Sequence, residues 1–327
     1  MKALGAELGI VVIGRNEGDR LKRCILSLPS DTPVVYVDSG STDGTPQWVR
    51  AQRITVVDLD MRFGFTAARA RNLGLGRLLV IAPNIKYVQF LDGDCELVGS
   101  WPRAAITLLE SDAKLGAVFG RRRERFPHRS IYNWLCDLEW NTPVGESKAF
   151  GGDVLLRLSA FQAVGGYHED LVAGEDPELA LRLRAAHWKL FRMDAEMTLH
   201  DAALTRFGQW WWRNVRSGYA FALGAKLHGA PPERHWVWES RRAWIWGLII
   251  PFVCAAAGIL FGPVGLLCWL IYPFQVFRQA LRTPGSIRDR LVIAFFQMLS
   301  RFPESWGQIK YLFDRTLNRP ARIIEYK

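Results

Sequence analysis

Residues 87–94 read Tyr-Val-Gln-Phe-Leu-Asp-Gly-Asp, an apolar run stopped abruptly by carboxylates. A short run rich in β-branched and aromatic residues, with turn residues after it, predicts a strand over 87–91 that is buried on both faces. Side chains alternate along a strand, so Asp92 and Asp94 project to the same side, and Gly93 between them lets a ligand come close. Two hard oxygen donors in that position suit Mg2+ or Mn2+ bound to a diphosphate. Working outward, residues 9–13, 33–37 and 54–57 are runs of the same kind. Between the runs, residues 19–28, 46–51, 66–79 and 101–109 carry helical spacing. Strand and helix in alternation predict an α/β layer with a mostly parallel central sheet. Ligands bind such sheets beyond the carboxyl ends of the strands, so the polar residues that follow each strand are the candidates for chemistry.

The chain has 327 residues, 49% of them hydrophobic and 23% charged. That composition excludes a disordered chain and a disulfide scaffold, and the length suits about two structural units. Lys plus Arg number 42 against 32 Asp plus Glu, a net charge of +10. The balance favours an anionic neighbour: nucleic acid, an acidic membrane surface or a phosphorylated ligand. No nucleic-acid motif accompanies the charge, which gathers near a hydrophobic segment, so nucleic acid is not expected as a partner. The five Cys are scattered, with no Cys-x-x-Cys and no His at zinc-ligand spacing, which predicts free thiols in a reducing compartment. The apolar stretch 8–13 runs into Arg15 and Glu17 and is too short for a signal peptide.

From residue 243 to 277 there are 35 consecutive residues without a charge. One bilayer crossing needs about 20 residues, so the run is long for one span and tight for two. Gly262-Pro263 near its middle is a turn signal, which predicts a hairpin of two short transmembrane helices, 243–261 and 264–281, with Pro251 and Pro273 as kinks. Both flanks are basic, Arg241 and Arg242 before and Arg278, Arg282, Arg288 and Arg290 after. By the positive-inside rule both ends lie in the cytoplasm, which places the α/β domain on the cytoplasmic face of the inner membrane. Residues 291–313 have apolar positions at mixed helical spacing among basic ones, as expected of an interfacial helix or of one packed back on the α/β domain. The expected division is therefore 1–230, 231–283 and 284–327.

Two further acidic clusters follow predicted strands or open helices. Asp38-Ser39-Gly40-Ser41-Thr42-Asp43-Gly44-Thr45 ends the second strand, with small residues that permit a tight turn. Its carboxylates could accept from a base N–H or a ribose hydroxyl, or could simply close an Asx turn and cap a helix. Gly174-Glu175-Asp176-Pro177-Glu178 opens a helix, where acids complement the N-terminus; either it is a capping cluster or Asp176 projects toward a substrate as a general base. Gly74-Leu75-Gly76 follows a helix rather than a strand and is not a dinucleotide fingerprint.

In order and spacing these segments resemble glycosyltransferase family 2, with the GT-A fold. Val12-Ile13-Gly14-Arg15-Asn16-Glu17 is similar to that family's first strand and its Asn-Glu ending, and Asp38–Thr45 to its second-strand signature. Ala70-Arg71-Asn72-Leu73-Gly74 resembles its helix motif and Asp92-Gly93-Asp94 its metal-binding Asp-x-Asp. Gly151-Gly152-Asp153, Val164-Gly165-Gly166-Tyr167 and Gly174-Glu175-Asp176 resemble its acceptor-side segments. The resemblance covers about residues 9–225. It implies an inverting transfer of one sugar from a nucleotide-diphosphate sugar, commonly a UDP-sugar, to a membrane-linked acceptor in glycan, exopolysaccharide or glycolipid synthesis. It implies that Glu17, Asp38, Asp43, Arg71, Asn72 and Asp92 bind the donor nucleotide. Asp94 and His200 would hold Mn2+ or Mg2+, and Asp176 would act as catalytic base. On the acceptor side stand Glu175, Gly152, Asp153, Trp210, Trp211 and Arg213.

Gly208-Gln209-Trp210-Trp211-Trp212-Arg213 departs from the Gln-x-x-Arg-Trp of processive polysaccharide synthases, and one hairpin is too little for a polymer channel. Single-sugar transfer is therefore expected. The three Trp either line an acceptor entrance at the membrane surface or pack a helix. Arg121-Arg122-Arg123-Glu124-Arg125 reads as a phosphate- or lipid-binding patch or as a solvated charged loop. Two other readings remain at this stage, a polyprenyl-phosphate glycosyltransferase and a catalytically inactive membrane scaffold.

Overall fold

A computed structural model of the chain describes residues 7–319 and Ile324. The chain forms two compact units that divide after Thr205.

The first unit is built on one nine-stranded sheet. Its strands are β1 (Leu8–Gly14), β2 (Val34–Asp38), β3 (Thr55–Asp58), β4 (Tyr87–Asp92), β5 (Cys95–Leu97), β6 (Leu115–Glu124), β7 (Gly145–Glu146), β8 (Val154–Arg157) and β9 (Lys189–His200). They lie in the order β3-β2-β1-β4-β8-β6-β9-β5, with β7 on β9. The four strands expected from the apolar runs pair in parallel. Beyond β4 the sheet is mixed: β8 runs antiparallel to β4 and β6, β6 parallel to β9, and β5 and β7 antiparallel to β9.

Among the described residues, this unit carries the α-helices α1 (Asp19–Leu26), α2 (Thr45–Ala51), α3 (Ala67–Ile81), α4 (Trp101–Ser111), α5 (Ile131–Glu139), α6 (Leu158–Ala163) and α7 (Glu175–Ala185). Residues Leu8 to Val12 of β1 are all buried, which is why that strand is apolar without alternation. The helix α3 lies directly on β1 and β2. A Cβ at Gly74 would meet the Val11 side chain at 2.4 Å and Val37 at 2.9 Å, so the glycine is a packing requirement. The same helix turns Arg71, 2% exposed, toward the carboxyl ends of the strands. In this way the packing of α3 places a cation at the sheet's mouth.

The sequence Arg121–Arg125 is neither an exposed loop nor a free basic patch. Residues 121–124 end β6, and each of the four arginines has a carboxylate partner: Arg121 with Asp137, Arg122 with Asp92 and Asp153, Arg123 with Glu196, and Arg125 with Glu96. The end of an interior strand meets acids that stand elsewhere in the sequence, which no local pattern reveals.

The second unit is helical: α8 (Phe207–His228), α9 (Val237–Trp244), α10 (Ile250–Phe261), α11 (Pro263–Leu266), α12 (Ile271–Ala280), α13 (Ile287–Leu299) and α14 (Arg301–Thr316). The division after Thr205 groups α8 with the C-terminal helices, whereas the expected boundary fell at residue 230. Packing explains the difference. A Cβ on Gly307 of α14 would lie 2.0 Å from the Val215 carbonyl oxygen of α8, and Tyr219 and Tyr311 meet edge to face at 5.4 Å. Within this second unit α14 packs on α8. By contrast, α13 leaves Ile287, Leu291 and Phe295 exposed at a spacing of four residues, as an interfacial helix would.

A hairpin turns at Gly262, whose φ is +61°. Its first arm runs unbroken over Val237–Phe261, 25 residues long and apolar enough to cross a membrane, with 11% of its most apolar stretch buried in the chain. The second arm is shorter and broken, since a 3-10 turn (Leu267–Leu270) separates α11 from α12. Pro251 lies inside the first arm. The turn before it, Ile245–Ile249, is a π-helix, and Ser305 Oγ donates to the Gly247 carbonyl at 3.2 Å. That carbonyl is the one four residues before Pro251, whose ring can donate nothing to it. Tyr272 Oη likewise donates to the Trp246 carbonyl at 2.7 Å, tying the second arm to the first.

Candidate active site

Three clusters form at the carboxyl ends of the parallel strands. The first joins the loops after β1 and β2. Asn16 Oδ1 accepts from the Thr42 N–H at 2.8 Å, the Asn16 N–H donates to Ser41 Oγ at 2.9 Å, and the Gly18 N–H donates to Asp43 Oδ2 at 3.0 Å. Burial alone would push the Asp43 carboxyl up, but the hydroxyl and N–H of Thr45 and the Gly18 N–H outweigh it and hold it below the ordinary range. Asp38 is buried and accepts from the Tyr36 hydroxyl, the Gly40 and Ser41 N–H groups and the Ser41 hydroxyl. Those four bonds match the capacity of a carboxylate. Asp38 and Asp43 therefore shape the loop, as in the Asx-turn alternative. Glu17 pairs with Arg20 at 2.8 Å at the same edge.

The second cluster is centred on Arg71. Its Nη2 donates to Asp92 Oδ1 at 2.9 Å, and its Nη1 reaches Glu175 Oε1 at 2.9 Å and Asp176 Oδ1 at 3.2 Å. One buried guanidinium thus serves three carboxylates from two different elements. Gly174 at φ +83° turns the chain so that the first residues of α7 face it, an arrangement other residues adopt only with strain. Tyr167, its ring 5.2 Å under Arg71, donates its hydroxyl to Asp176 Oδ1 at 3.2 Å. Asn72 does not join this group; it holds the Tyr167 backbone, accepting from its N–H at 3.0 Å and donating to its carbonyl at 2.9 Å. Burial raises the Asp176 carboxyl to about 7, against the pull of Arg71 and with the push of Glu175 and Asp92. Burial also acts to raise Asp92, but Arg71 and Arg122 together keep it below the ordinary range. The environment therefore separates the two acids, leaving Asp92 ionised and Asp176 poised to exchange a proton near neutrality.

The third cluster lies on β5, β6 and β9. Sheet register places Cys95 opposite His200 on β9, and Glu124 of β6 opposite the same histidine on its other side. His200 Nε2 lies 3.2 Å from Asp94 Oδ2, and its Nδ1 faces Glu124 Oε2 at 3.8 Å. Trp140 meets the imidazole edge-on at 4.5 Å. Glu124 sets a negative charge beside the imidazole, beyond hydrogen-bonding distance. Asp94 and His200 are both buried, so an acidic oxygen and an imidazole nitrogen converge away from bulk water. That donor set fits a divalent ion such as Mn2+.

Asp153 links the clusters. Its Oδ1 accepts the Asp92 N–H at 3.1 Å, while its Oδ2 accepts the Thr198 hydroxyl at 2.8 Å and faces Arg122 Nε at 3.2 Å. It is buried and builds the site rather than lining its opening. Gly152 beside it leaves room for Asp92: a Cβ there would meet Asp92 Oδ2 at 2.5 Å and Arg71 Nη2 at 2.8 Å. Trp210, Trp211 and Arg213 belong to α8 of the second unit. Trp210 is buried against Phe207 and Phe296, so packing is its evident role, and Phe207 lies 5.8 Å from Trp211.

Sequence reasoning missed Arg122, Glu124, Cys95, Trp140 and the hydroxyl role of Tyr167. For β9 a signal existed, since Phe191, Met193, Ala195, Met197 and Leu199 alternate with polar residues along the strand. Arg122 carried none, being one of four neighbouring arginines.

Comparison with known proteins agrees with this geometry. The sequence profile described as glycosyl transferase family 2 matches residues 9–149. The succinoglycan biosynthesis protein ExoA of Rhizobium meliloti is 28% identical over 204 residues, which are 57% of this chain and 60% of that protein. An N-acetylglucosaminyl-diphospho-decaprenol L-rhamnosyltransferase of Mycobacterium tuberculosis is 26% identical over 236 residues, covering 60% of this chain and 76% of that one. Among solved structures, a mannosyltransferase from Pyrobaculum calidifontis in complex with GDP-Man and Mn2+ superposes with a TM-score of 0.59 at 18% identity, over 94% of this chain and 88% of that one. S. aureus TarS gives 0.50 at 12% identity, over 93% and 55%. The first unit accordingly has the GT-A fold, and its residues 9–149 match the glycosyl transferase family 2 profile.

Proposed function

We propose that this chain transfers one sugar, with inversion, from a nucleoside-diphosphate sugar to a hydroxyl of a membrane-linked acceptor. The observation that carries the reading is Asp176. It is a buried carboxyl raised to about 7, tied by Arg71 to the Asp92 that ends β4. A general base works best when its pKa lies near the working pH. Asp176 takes the acceptor hydroxyl's proton as that oxygen attacks the anomeric carbon, while Tyr167 and Arg71 hold the carboxylate in place. The loops after β1 and β2, with Glu17, Asp38 and Asp43, form the nucleoside end of the donor site. Asp94 and His200 would hold the divalent ion, with the Glu124 carboxylate beside the imidazole. When bound, the ion supplies positive charge to the departing diphosphate. The imidazole nitrogen favours Mn2+ over Mg2+.

The 25-residue apolar helix Val237–Phe261 supports the membrane reading, and its basic flanks support a cytoplasmic first unit. The mycobacterial relative's name specifies a sugar on a decaprenyl diphosphate, which supports a lipid-linked sugar as acceptor here. A polyprenyl phosphate is the rival acceptor, but an ionised phosphate nucleophile needs no base.

Calorimetric titration of the detergent-purified chain with UDP, GDP and dTDP, with and without Mn2+, tests the reading. Metal-dependent binding of one nucleotide is expected. A folded protein that binds none would instead be a scaffold. Asp176→Asn then separates the acceptors, since transfer that survives it would point to a phosphate acceptor.

A further inference from the structure

The cysteines have no zinc-like spacing in sequence, yet the fold brings one of them into a ligand cluster. We propose that Asp94, Cys95 and His200 form a binding site for a thiophilic divalent ion, Zn2+ in the first instance, which excludes Mn2+ from the same carboxylate and imidazole. The inference shares Asp94 and His200 with the metal reading above but does not depend on sugar transfer. Ligand atoms of the three residues all lie within 4.8 Å of one another, and all three side chains are buried. The arrangement follows from the sheet: Cys95 and His200 are direct partners across the β5–β9 pair, and Asp94 immediately precedes Cys95.

The distances suit a tetrahedral ion. With Zn–S of about 2.3 Å and Zn–O and Zn–N of about 2.0 Å, a tetrahedron sets sulfur and oxygen about 3.5 Å apart, and oxygen and nitrogen about 3.3 Å apart. Here Cys95 Sγ lies 3.6 Å from Asp94 Oδ1 and His200 Nε2 lies 3.2 Å from the other carboxylate oxygen, Oδ2, so a turn of the carboxylate is needed to bring one oxygen to both. Glu124 Oε2, 3.8 Å from His200 Nδ1, adds negative charge behind the imidazole. Asp92 and Asp153 form a second triad around the same sulfur. Arg122 Nη2, 3.3 Å from Sγ and 3.0 Å from Asp92 Oδ2, fills that side with positive charge and directs an incoming cation toward Asp94 and His200. On binding, the thiol proton passes to solvent and an S–Zn bond forms, with no change of oxidation state. A thiolate discriminates strongly between the ions: Zn2+ accepts sulfur readily, whereas Mn2+ prefers oxygen.

The test is titration of the full chain in detergent with Zn2+ alone and Mn2+ alone, for the natural sequence and for Cys95→Ser. The natural protein is expected to bind one Zn2+ in competition with Mn2+. Cys95→Ser should weaken Zn2+ on the order of 100-fold and leave Mn2+ affinity within about threefold, because only the soft ligand is gone. Cobalt loading of the natural protein should give a near-ultraviolet thiolate-to-cobalt band, a readout that does not depend on the variant's folding. Unchanged Zn2+ affinity in Cys95→Ser, an equal loss for both ions, or no thiolate band would each overturn the assignment. Failure of Mn2+-dependent nucleotide binding would remove the transferase reading and leave the zinc titration to decide this one.

Discussion

Substituting Asp176 by Asn separates chemistry from stability in a way the structure makes quantitative. Asn retains an oxygen for the Tyr167 hydroxyl but can neither ionise nor take a proton. Burial lifts the native carboxyl from 3.8 to about 7. At about 1.4 kcal/mol per pH unit, that gap is an upper figure of about 4 kcal/mol. The sign follows from proton counting. Between about pH 4 and pH 7 the folded carboxyl keeps a proton that the unfolded chain has released, so raising the pH favours unfolding across that window. The natural protein should therefore lose stability as pH rises from about 4 to 7, and Asp176→Asn should lose less. At pH 8 the variant should melt on the order of 10 °C higher, and the difference should close toward pH 4. Transfer should fall by about 100- to 10,000-fold, with nucleotide binding within about threefold. Melting curves across pH 4–8, a nucleotide titration and a turnover assay read all three. Melting temperatures that run parallel at every pH would refute the argument from burial, and near-normal turnover would refute the base.

Arg71→Lys should cost about 3–5 kcal/mol, because one ammonium cannot bridge Asp92, Glu175 and Asp176 together; thermal melting measures it. Gly152→Ala should displace the Asp92–Arg71 pair, since its Cβ would sit 2.5 Å from Asp92 Oδ2, and should weaken donor binding in calorimetry while the hairpin's helical signal is kept. Chelation of divalent ions, or Asp94→Ala, should abolish metal-dependent nucleotide binding, which Mn2+ restores only where Asp94 is present. Gly307→Val should separate α14 from α8, where a Cβ would lie 2.0 Å from the Val215 carbonyl, at a cost on the order of 2 kcal/mol in melting.

The strands β1 to β4 were legible because burial on both faces demands apolar residues at every position, and a sharp polar stop marks each carboxyl end. Asp92 and Asp94 were legible as the polar stop of a strand and Asp176 as the opening of a helix, while His200 came only with the resemblance. The mixed half of the sheet was harder. In β6 an arginine run masks the strand, because its charges are neutralised by acids far away in sequence. The hydrogen bonds of Asp38, which frame its loop, were not legible either, because they depend on the turn geometry of residues 40 and 41.

By itself, then, the sequence determined the parallel half of the sheet, the position of the acidic residues at its mouth and the apolar arm near the C-terminus, since these rest on local periodicity and on runs of like residues. Tertiary structure alone decided that one guanidinium, Arg71, holds three carboxylates, that Arg122 enters the site, that α8 belongs with the C-terminal helices, and that Cys95 meets His200. The two residues of that last pair are far apart in the chain, and only strand register, fixed by the packing of the whole sheet, sets their side chains against each other.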